Sequence, residues 1–337
     1  MGAHSGQQRT GGRMATSGFS LRGLLAGLFG TIGVMLVPIT LVANWTEQYL
    51  LNTENFTNLY QPLSGKSSFQ EYVAGELSQA ASQAVEDSGL TEMAGTVSGG
   101  IDSFLGMLGF DSNLEGATDD WTGQIAETVG GTVHEQAIPA MQSPEFAEAW
   151  GLAIGQVHSQ ILTGLTGSGP ETQALTLDAE PFAAIVQDYL GLGGFPLAQQ
   201  LPSLASGVEI PLADVTYPAP MRSLVQALGT YGDYLPWLTG AFLLAGIILA
   251  RRPWAAMARS GFAVAFTAGT LWLATPRLGR FIVTDAVSAM GDGSLAASLW
   301  QMGTAPLMSQ ALLVAAIALG VGILGLVVNL LVGSYSD

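Results

Sequence analysis

The sequence contains no cysteine, and it is short of histidine and of charge. Without cysteine there is no disulfide framework, no lipoprotein anchor, no thiolate metal site and no thiol nucleophile. Only 11% of the residues are charged, against about 25% in an ordinary soluble domain. These shortages exclude thiol chemistry and are atypical of a soluble protein.

What the chain does contain is four long apolar runs that lack Asp, Glu, Lys, Arg and His. Each is close to the roughly 20 residues needed to cross about 30 Å of hydrocarbon. Charged residues inside spans usually mark ion pathways, so their absence argues against a pump, an ion-coupled carrier or a charged pore. The sequence predicts four transmembrane helices, at Gly23–Ala43, Leu235–Ala250, Ser260–Pro276 and Leu307–Gly333.

The arginines predict the orientation of these spans, because short loops rich in Lys and Arg stay in the cytoplasm. Three arginines precede the first run, and three more lie in the short segment 251–259. The first run is longer than a signal-peptide core, which favours an uncleaved anchor. We expect a multi-pass plasma-membrane protein with both termini in the cytoplasm. A disordered cytoplasmic tail (1–22) precedes span 1 (23–43), which leads into an extracytoplasmic domain (44–233). Three further spans (234–333), joined by cytoplasmic loop 251–259 and outer loop 277–306, precede a cytoplasmic C-terminus (334–337).

The segment 44–233 is strongly acidic. It holds 23 of the 26 carboxylates, and its cations are Lys66 and Arg222 alone. This charge excludes a nucleic-acid surface and disfavours contact with anionic lipid. It suits a cation-rich wall, a basic protein partner or, as the simpler interpretation, a domain that charge keeps soluble.

Helical patterns dominate this acidic segment. Ser143-Pro144-Glu145 predicts a helix start, with Ser as the cap and Pro in the first turn. Ser68 and Glu71 resemble a capping box, and Gly89 is a plausible helix end. Apolar stripes at helical spacing follow these starts and recur later in the segment, at Phe69, Val73, Leu77, Ala80 and Ala84, at Leu90, Met93, Val97, Ile101, Phe104 and Leu108, at Trp121, Ile125, Val129 and Val133, and at Phe146, Trp150, Ile154, Val157, Ile161 and Leu165.

Two short alternating segments, Ala174–Asp178 and Val208–Val215, predict strands, and Pro211 confines the second to a sheet edge. The predicted fold class is therefore an all-α membrane protein with four transmembrane helices. A mostly helical extracytoplasmic domain, carrying at most a minor β-hairpin, is inserted between helices 1 and 2.

A set of segments spread over most of residues 40–330 carries a resemblance to a known family, namely Asn44-Trp45-Thr46, Asn52-Thr53-Glu54-Asn55-Phe56, Gln61-Pro62-Leu63, Ser143–Trp150 followed by His158, Leu177-Asp178, Phe182–Leu190 and Arg251-Arg252. These segments resemble a family of uncharacterised actinobacterial four-span integral membrane proteins with a large extracytoplasmic domain. The resemblance implies an actinobacterial envelope protein with no assigned reaction.

No catalytic motif is present. His134-Glu135 begins like a zinc-protease helix, but Ile138 stands where the second histidine belongs. His158 is more simply a helix-surface or half-buried histidine whose hydrogen bonds are satisfied. No serine lies in a G-x-S-x-G elbow. We therefore predict no catalytic residue and no cofactor-binding residue.

The segment Asp111–Thr122 is the one candidate metal site, because oxygen ligands fall at the spacing of a calcium loop. Gly116 falls at the sharp turn of such a loop, whereas Thr122 stands where a bidentate Glu normally closes the cage. The alternatives are weak calcium binding and, as the favoured interpretation, a solvated connection between helices. The candidate ligands are Asp111, Asn113, Glu115 and Asp119.

Small residues recur along the spans at the four-residue spacing of helix contacts. They predict contacts within the bundle, although a homo-oligomer face has the same pattern. The pairs are Gly23 with Gly27, Ala265 with Gly269, Ala316 with Gly320, and Ala318 with Gly322.

Three functions remain open. The leading hypothesis is a non-enzymatic scaffold, anchor or sensor that presents the acidic domain to envelope partners. The alternatives are a protein that handles lipid or an apolar small molecule and, third, an envelope hydrolase. Membrane lipids are expected partners and nucleic acid is not. An apolar cavity between the domain and the bundle favours lipid handling, whereas His134, His158 and carboxylates converging in a cleft favour a hydrolase.

Overall fold

The computed structural model describes residues 21–96, 119–167, 169–192, 207–290 and 293–334. Within these ranges the chain is mostly helical, with one two-stranded sheet. Short π and 3₁₀ turns at Thr46–Leu50, Gln61–Gly65 and Gly232–Tyr234 join some of the helices. The helices and strands in chain order are α1 (Leu21–Trp45), α2 (Thr53–Tyr60), α3 (Ser67–Thr96), α4 (Asp119–Met141), α5 (Pro144–Leu165), β1 (Thr172–Asp178), α6 (Glu180–Leu192), β2 (Glu209–Thr216), α7 (Ala219–Tyr231), α8 (Leu235–Leu249), α9 (Pro253–Met290) and α10 (Gly293–Ser334).

Three helical stretches of the described residues are long and apolar enough to cross a membrane, namely Leu21–Leu50, Ala219–Leu249 and Gly293–Val332. They contain the first, second and fourth predicted spans. Large apolar side chains on them are exposed to the surroundings, as Ile248 and Leu330 illustrate. Such faces are typical of helices that contact lipid, and the three helices fit a membrane protein.

The remaining predicted span, Ser260–Pro276, lies in the middle of the 38-residue helix α9. It is not one of the three stretches that are long and apolar enough to cross a membrane. Its buried residues Val264 and Ala268 nevertheless pack into the same apolar cluster as Leu41 of α1 and Ala311 of α10. This helix therefore belongs to the bundle core.

Glycines bring these helices into close contact at places that the sequence analysis partly missed. A Cβ on Gly246 of α8 would lie 2.8 Å from the backbone nitrogen of Gly30, and one on Gly261 of α9 would lie 2.5 Å from that of Gly322. Of the predicted pairs, Ala318 with Gly322 takes part in such a contact. The prediction is wrong for Gly27, Gly269 and Gly320, where a Cβ would meet no heavy atom within 4 Å. A small residue indicates a face on which another helix can pack closely, but it does not show whether a helix packs there.

The part of the chain from α2 to β2, called the outer domain here only after its predicted location, has its own apolar core, called the outer core. The predicted cap of α5 is confirmed, because the Ser143 side chain accepts a hydrogen bond from the Phe146 amide at 3.1 Å. Helices α3 and α4 pack side by side through apolar stripes that include Val73, Leu77 and Val129. These stripes follow the predicted helical spacing, so the helical interpretation of this part is confirmed.

Two predicted details of α3 are wrong. The helix begins one residue early, at Ser67, and Glu71 pairs with His134 of α4 instead of closing a capping box. Gly89 does not end the helix, which continues to Thr96. A glycine inside a helix costs only about 1 kcal/mol relative to alanine, so packing against α4 outweighs it.

The two predicted strands form an antiparallel pair in which Leu175 lies opposite Ala213 and Thr176 opposite Pro211, so that Leu212 forms a bulge. Proline has no amide hydrogen to donate. No amide hydrogen is needed from Pro211, because Thr176 makes its hydrogen bonds to the Gln160 side chain. The Thr176 amide donates to Gln160 Oε1 at 3.2 Å, and the Thr176 carbonyl oxygen accepts from Gln160 Nε2 at 3.0 Å. This glutamine of α5 covers the open edge of β1.

The last helix, α10, runs for 42 residues without interruption. Its first turn places Leu295 and Ala296 in the outer core, whereas Leu307 and Ala311 lie in the core of the bundle. The predicted outer loop 277–306 is therefore mostly the ends of two long helices, α9 and α10, with α10 packed under the domain.

Candidate functional site

An apolar cavity of about 170 Å³ lies between the outer domain and the beginning of α10. Its floor comes from the buried stripe of α5, with Trp150, Ile154 and Val157. These residues share one face because they recur every three or four positions. Leu295 and Leu299, spaced by one turn, close it from α10. The cavity is thus the place where the domain meets a helix of the bundle.

Residues of the segment after span 1 complete the walls. Phe56 and Tyr60 of α2, Leu63 of the following turn and Phe69 of α3 face the cavity, and Leu175 and Leu212 come from the sheet. The Leu212 contact follows from the bulge, which turns this extra residue away from the regular ladder. The lining is apolar or aromatic throughout.

The polar atoms of the lining have partners or remain neutral. The Trp150 indole Nε1 donates to the Tyr60 carbonyl oxygen at 3.1 Å. The Tyr60 hydroxyl sits against Gly303 of α10, where a Cβ would overlap it. Burial raises the pKa of Tyr60 to about 12, so this hydroxyl carries no charge near neutral pH. Within the part of the chain that the structure describes, no charged side chain lines the cavity, which therefore favours a hydrocarbon ligand over a polar one.

The size of the cavity limits what it holds. An engineered cavity of about 150 Å³ lined by apolar residues stays dry and binds benzene or xenon. At 170 Å³, the present cavity has room for an aromatic ring or a short length of hydrocarbon chain.

Direct hydrogen bonds join the end of α1 to α10, the helix that closes the cavity. The Trp45 indole Nε1, at the end of α1, donates to the Gly303 carbonyl oxygen at 2.9 Å. The Asn44 amide donates to the Gln310 Oε1 at 3.1 Å. Both bonds fix α10 against α1, the helix that leads into the domain.

His158 has a structural role in this arrangement. It is fully buried, and its ring lies 4.5 Å from that of Phe56. The imidazole donates through Nε2 to the Leu50 carbonyl oxygen at 2.9 Å, and its Nδ1 shares a hydrogen bond with the Thr53 hydroxyl at 3.0 Å. Both ring nitrogens are satisfied, as the sequence analysis favoured, although the burial is deeper than a helix-surface position.

The arrangement offers little support for a hydrolase. His134 contacts Glu71 through Nε2 at 3.2 Å on the exposed side of α3 and α4. His158 instead contacts Thr53 and Leu50, so the contacts of the two histidines are separate. In the ranges that the structure describes, no three His, Asp or Glu side chains come together in a way that could hold a metal ion.

The candidate calcium loop cannot be placed in this arrangement. Asp111, Asn113 and Glu115 lie outside the described residues, and Asp119 is the first residue of α4. The loop stays a prediction.

Sequence reasoning missed the contribution of Leu212, and it did not identify the cavity that Leu295 and Leu299 close. These two leucines lie about 130 residues after α5, in the predicted loop 277–306, where apolar residues predict a helix that lies on the membrane or packs beneath the domain. A weak signal was present, since Leu295 and Leu299 are spaced by one helical turn ahead of the last apolar run.

The chain matches no family model, no curated protein and no solved structure. The resemblance to an actinobacterial membrane family stays a prediction. The class of the protein follows from its fold, because its three long apolar helices fit a membrane protein.

Proposed function

We propose that this is a non-enzymatic integral membrane protein of the cell envelope that binds a hydrocarbon chain, as part of a lipid, in the cavity beneath its outer domain. This is the lipid-handling alternative of the sequence analysis. The observation that carries it is the cavity itself, closed by Leu295 and Leu299 of the helix that continues into the bundle.

The proposal includes four spans, with α9 as the third. Its segment 260–276 is less apolar than the others because it contains threonines. Thr270 and Thr275 each donate to the backbone carbonyl one turn earlier, at 2.8 and 2.9 Å. Such bonds leave the hydroxyl proton satisfied within the helix, which makes these threonines compatible with a hydrocarbon environment.

The proposed orientation places residues 44–233 outside the cell and both termini inside. Its support is the concentration of arginines before span 1 and in segment 251–259. In this orientation the cavity lies close to the outer surface of the membrane. A lipid chain leaving the outer leaflet then reaches it by following α10.

Photocrosslinking tests the proposed ligand. The full chain is reconstituted into bilayer discs with a phospholipid that carries a diazirine at the end of one acyl chain, and adducts are mapped by mass spectrometry. We expect adducts on α5, which the proposed topology places outside the bilayer. Val157→Phe fills the cavity and should remove these adducts. Leu152→Phe, on the same helix at a residue that is 70% exposed, is the matched control and should retain them.

Thermal unfolding of each variant checks that the domain still folds. Adducts confined to the spans, or adducts on α5 that Val157→Phe leaves unchanged, would contradict lipid binding in this cavity.

A scaffold or sensor role is the second candidate, and one observation favours it. Because α10 is continuous from the outer core to the bundle, a partner that binds the acidic domain is mechanically connected to the span. Crosslinking in native membranes tests this role. A stoichiometric basic partner whose crosslinks persist in Val157→Phe would support the scaffold over the lipid-binding function.

A further inference from the structure

A second and larger cavity lies at the other end of the bundle. This groove, of about 860 Å³, is formed by α1, the end of α8 and the first half of α9. It runs along α1 from Gly23 to Met35, a rise of about 18 Å at 1.5 Å per residue. One leaflet of a bilayer core is about 15 Å thick. The groove therefore has the length of a single acyl chain.

Three arginines, Arg251, Arg252 and Arg259, line the mouth of this groove. Among the described residues, none of the three is in an ion pair. Nearby Arg22 has a different role, because its guanidinium donates to the carbonyl oxygens of Ile248 and Leu249 at the end of α8.

The chain supplies almost no acid at this end to neutralise the arginines. Residues 1–46 contain no carboxylate, and neither do residues 234–284. The only carboxylate side chain after Asp292 belongs to Asp337. Three guanidinium groups at the mouth of an apolar groove thus lack a partner of opposite charge from the neighbouring helices.

Small residues make the rest of the groove wide and apolar. Gly23, Gly27 and Gly30 line it from α1, and a Cβ on Gly27 would meet no heavy atom within 4 Å. On the other side, Gly30 lies in close contact with Gly246 of α8. This contact holds α1 against α8, and the groove beside it has space for an acyl chain.

We propose that this groove binds an anionic phospholipid, with its phosphate on Arg251, Arg252 and Arg259 and one acyl chain along the glycine-lined wall of α1. Guanidinium groups bind phosphate oxygens through paired hydrogen bonds. Basic pockets between transmembrane helices are a known form of headgroup site. The inference is independent of the outer cavity, since the two sites lie at opposite ends of the bundle and share no lining residue.

Lipid titration followed by native mass spectrometry tests the charge requirement. Delipidated full-length protein is titrated with phosphatidylglycerol and, separately, with phosphatidylcholine. An arginine near an anionic surface contributes about 1 kcal/mol, or about fivefold in affinity. The triple variant Arg251→Gln, Arg252→Gln, Arg259→Gln should then bind phosphatidylglycerol about 100-fold more weakly. Arg277→Gln, at the opposite end of the proposed span in α9, is the matched control and should bind normally.

A second pair of variants tests the acyl chain. Gly27→Leu fills the groove without a clash and should weaken phosphatidylglycerol binding, whereas Gly240→Leu, which also has free space but lies outside the groove, should not. Equal binding of the two lipids, or unchanged binding in the triple arginine variant, would overturn the proposal. So would full binding by Gly27→Leu, or displacement of the lipid by millimolar inorganic phosphate, because either result would reduce the site to an anion site on the loop.

Discussion

Replacing His158 with alanine should destabilise the protein far more than the same change at His134. His158 is fully buried and bonds to Leu50 and Thr53, whereas the side chain of His134 is 31% exposed and pairs with a more exposed Glu71. The substitution leaves the Leu50 carbonyl without its donor, at a cost of about 1–3 kcal/mol. It also opens a void beside Phe56, for which losses of about 3–5 kcal/mol are typical when an aromatic ring is removed.

Because the costs of the lost hydrogen bond and of the void overlap, we expect His158→Ala to lower the free energy of unfolding by about 3–5 kcal/mol in total. For a domain of this size each kcal/mol lowers the melting temperature by about 2–4 °C. His158→Ala should therefore lower it by about 6–20 °C. The exposed pair of His134 contributes about 0–1 kcal/mol, and its loss should lower the melting temperature by no more than about 4 °C.

The assay is thermal unfolding of the full chain in detergent, followed by tryptophan fluorescence. Trp150 is a suitable reporter, because it is buried on the same helix as His158 and packs 4.3 Å from the ring of Phe69. Thr53→Val removes one of the two hydrogen bonds and should give an intermediate loss. Equal melting temperatures for His158→Ala and His134→Ala would refute the structural role assigned to His158.

Two further predictions concern topology and pH. A cysteine introduced at Ser88 should react with an impermeant maleimide in intact cells while one at Ala256 should not, and labelling at Ala256 without permeabilisation would reverse the proposed orientation. Burial raises the pKa of Glu76 above its usual 4.5, so the fold favours the protonated carboxyl, and the stability that protonation gives is lost as the pH rises through the folded-state pKa. Glu76→Gln should therefore raise the melting temperature at pH 7 and lose this advantage below pH 4.5, whereas the exposed control Glu148→Gln should show no such pH-dependent gain.

Local signals in the sequence were sufficient for much of the outer domain. Ser143 and Pro144 start α5 because a cap and a proline act within one turn. The stripe through Phe146, Trp150 and Ile154 is buried as its spacing predicts. The two strands also follow from local alternation, even though Pro211 lies in one of them.

The candidate site could not be predicted, because its parts meet only through tertiary contacts. The spacing of Leu295 and Leu299 indicates a helix ahead of the last apolar run, but it does not identify α5 as the element that they contact. The partner of the His158 Nε2 is a backbone carbonyl, and backbone groups leave no trace in a sequence. Gly27 and Gly322 illustrate the same limit in the spans, since both belong to small-residue pairs but only Gly322 contacts another helix closely.

The contribution of α10 to the outer core has a consequence for biosynthesis. Leu295 and Ala296 are buried in that core, yet the ribosome makes them after two of the later helices, α8 and α9. The 66 residues from Tyr234 to Leu299 take about 3–13 s to synthesise at about 5–20 residues per second. During this interval the newly made domain exposes the apolar faces of Phe56, Tyr60 and Trp150. The domain and the nascent bundle must therefore complete their folding together, and a chain that stops before α10 leaves the domain as a substrate for chaperones and proteases.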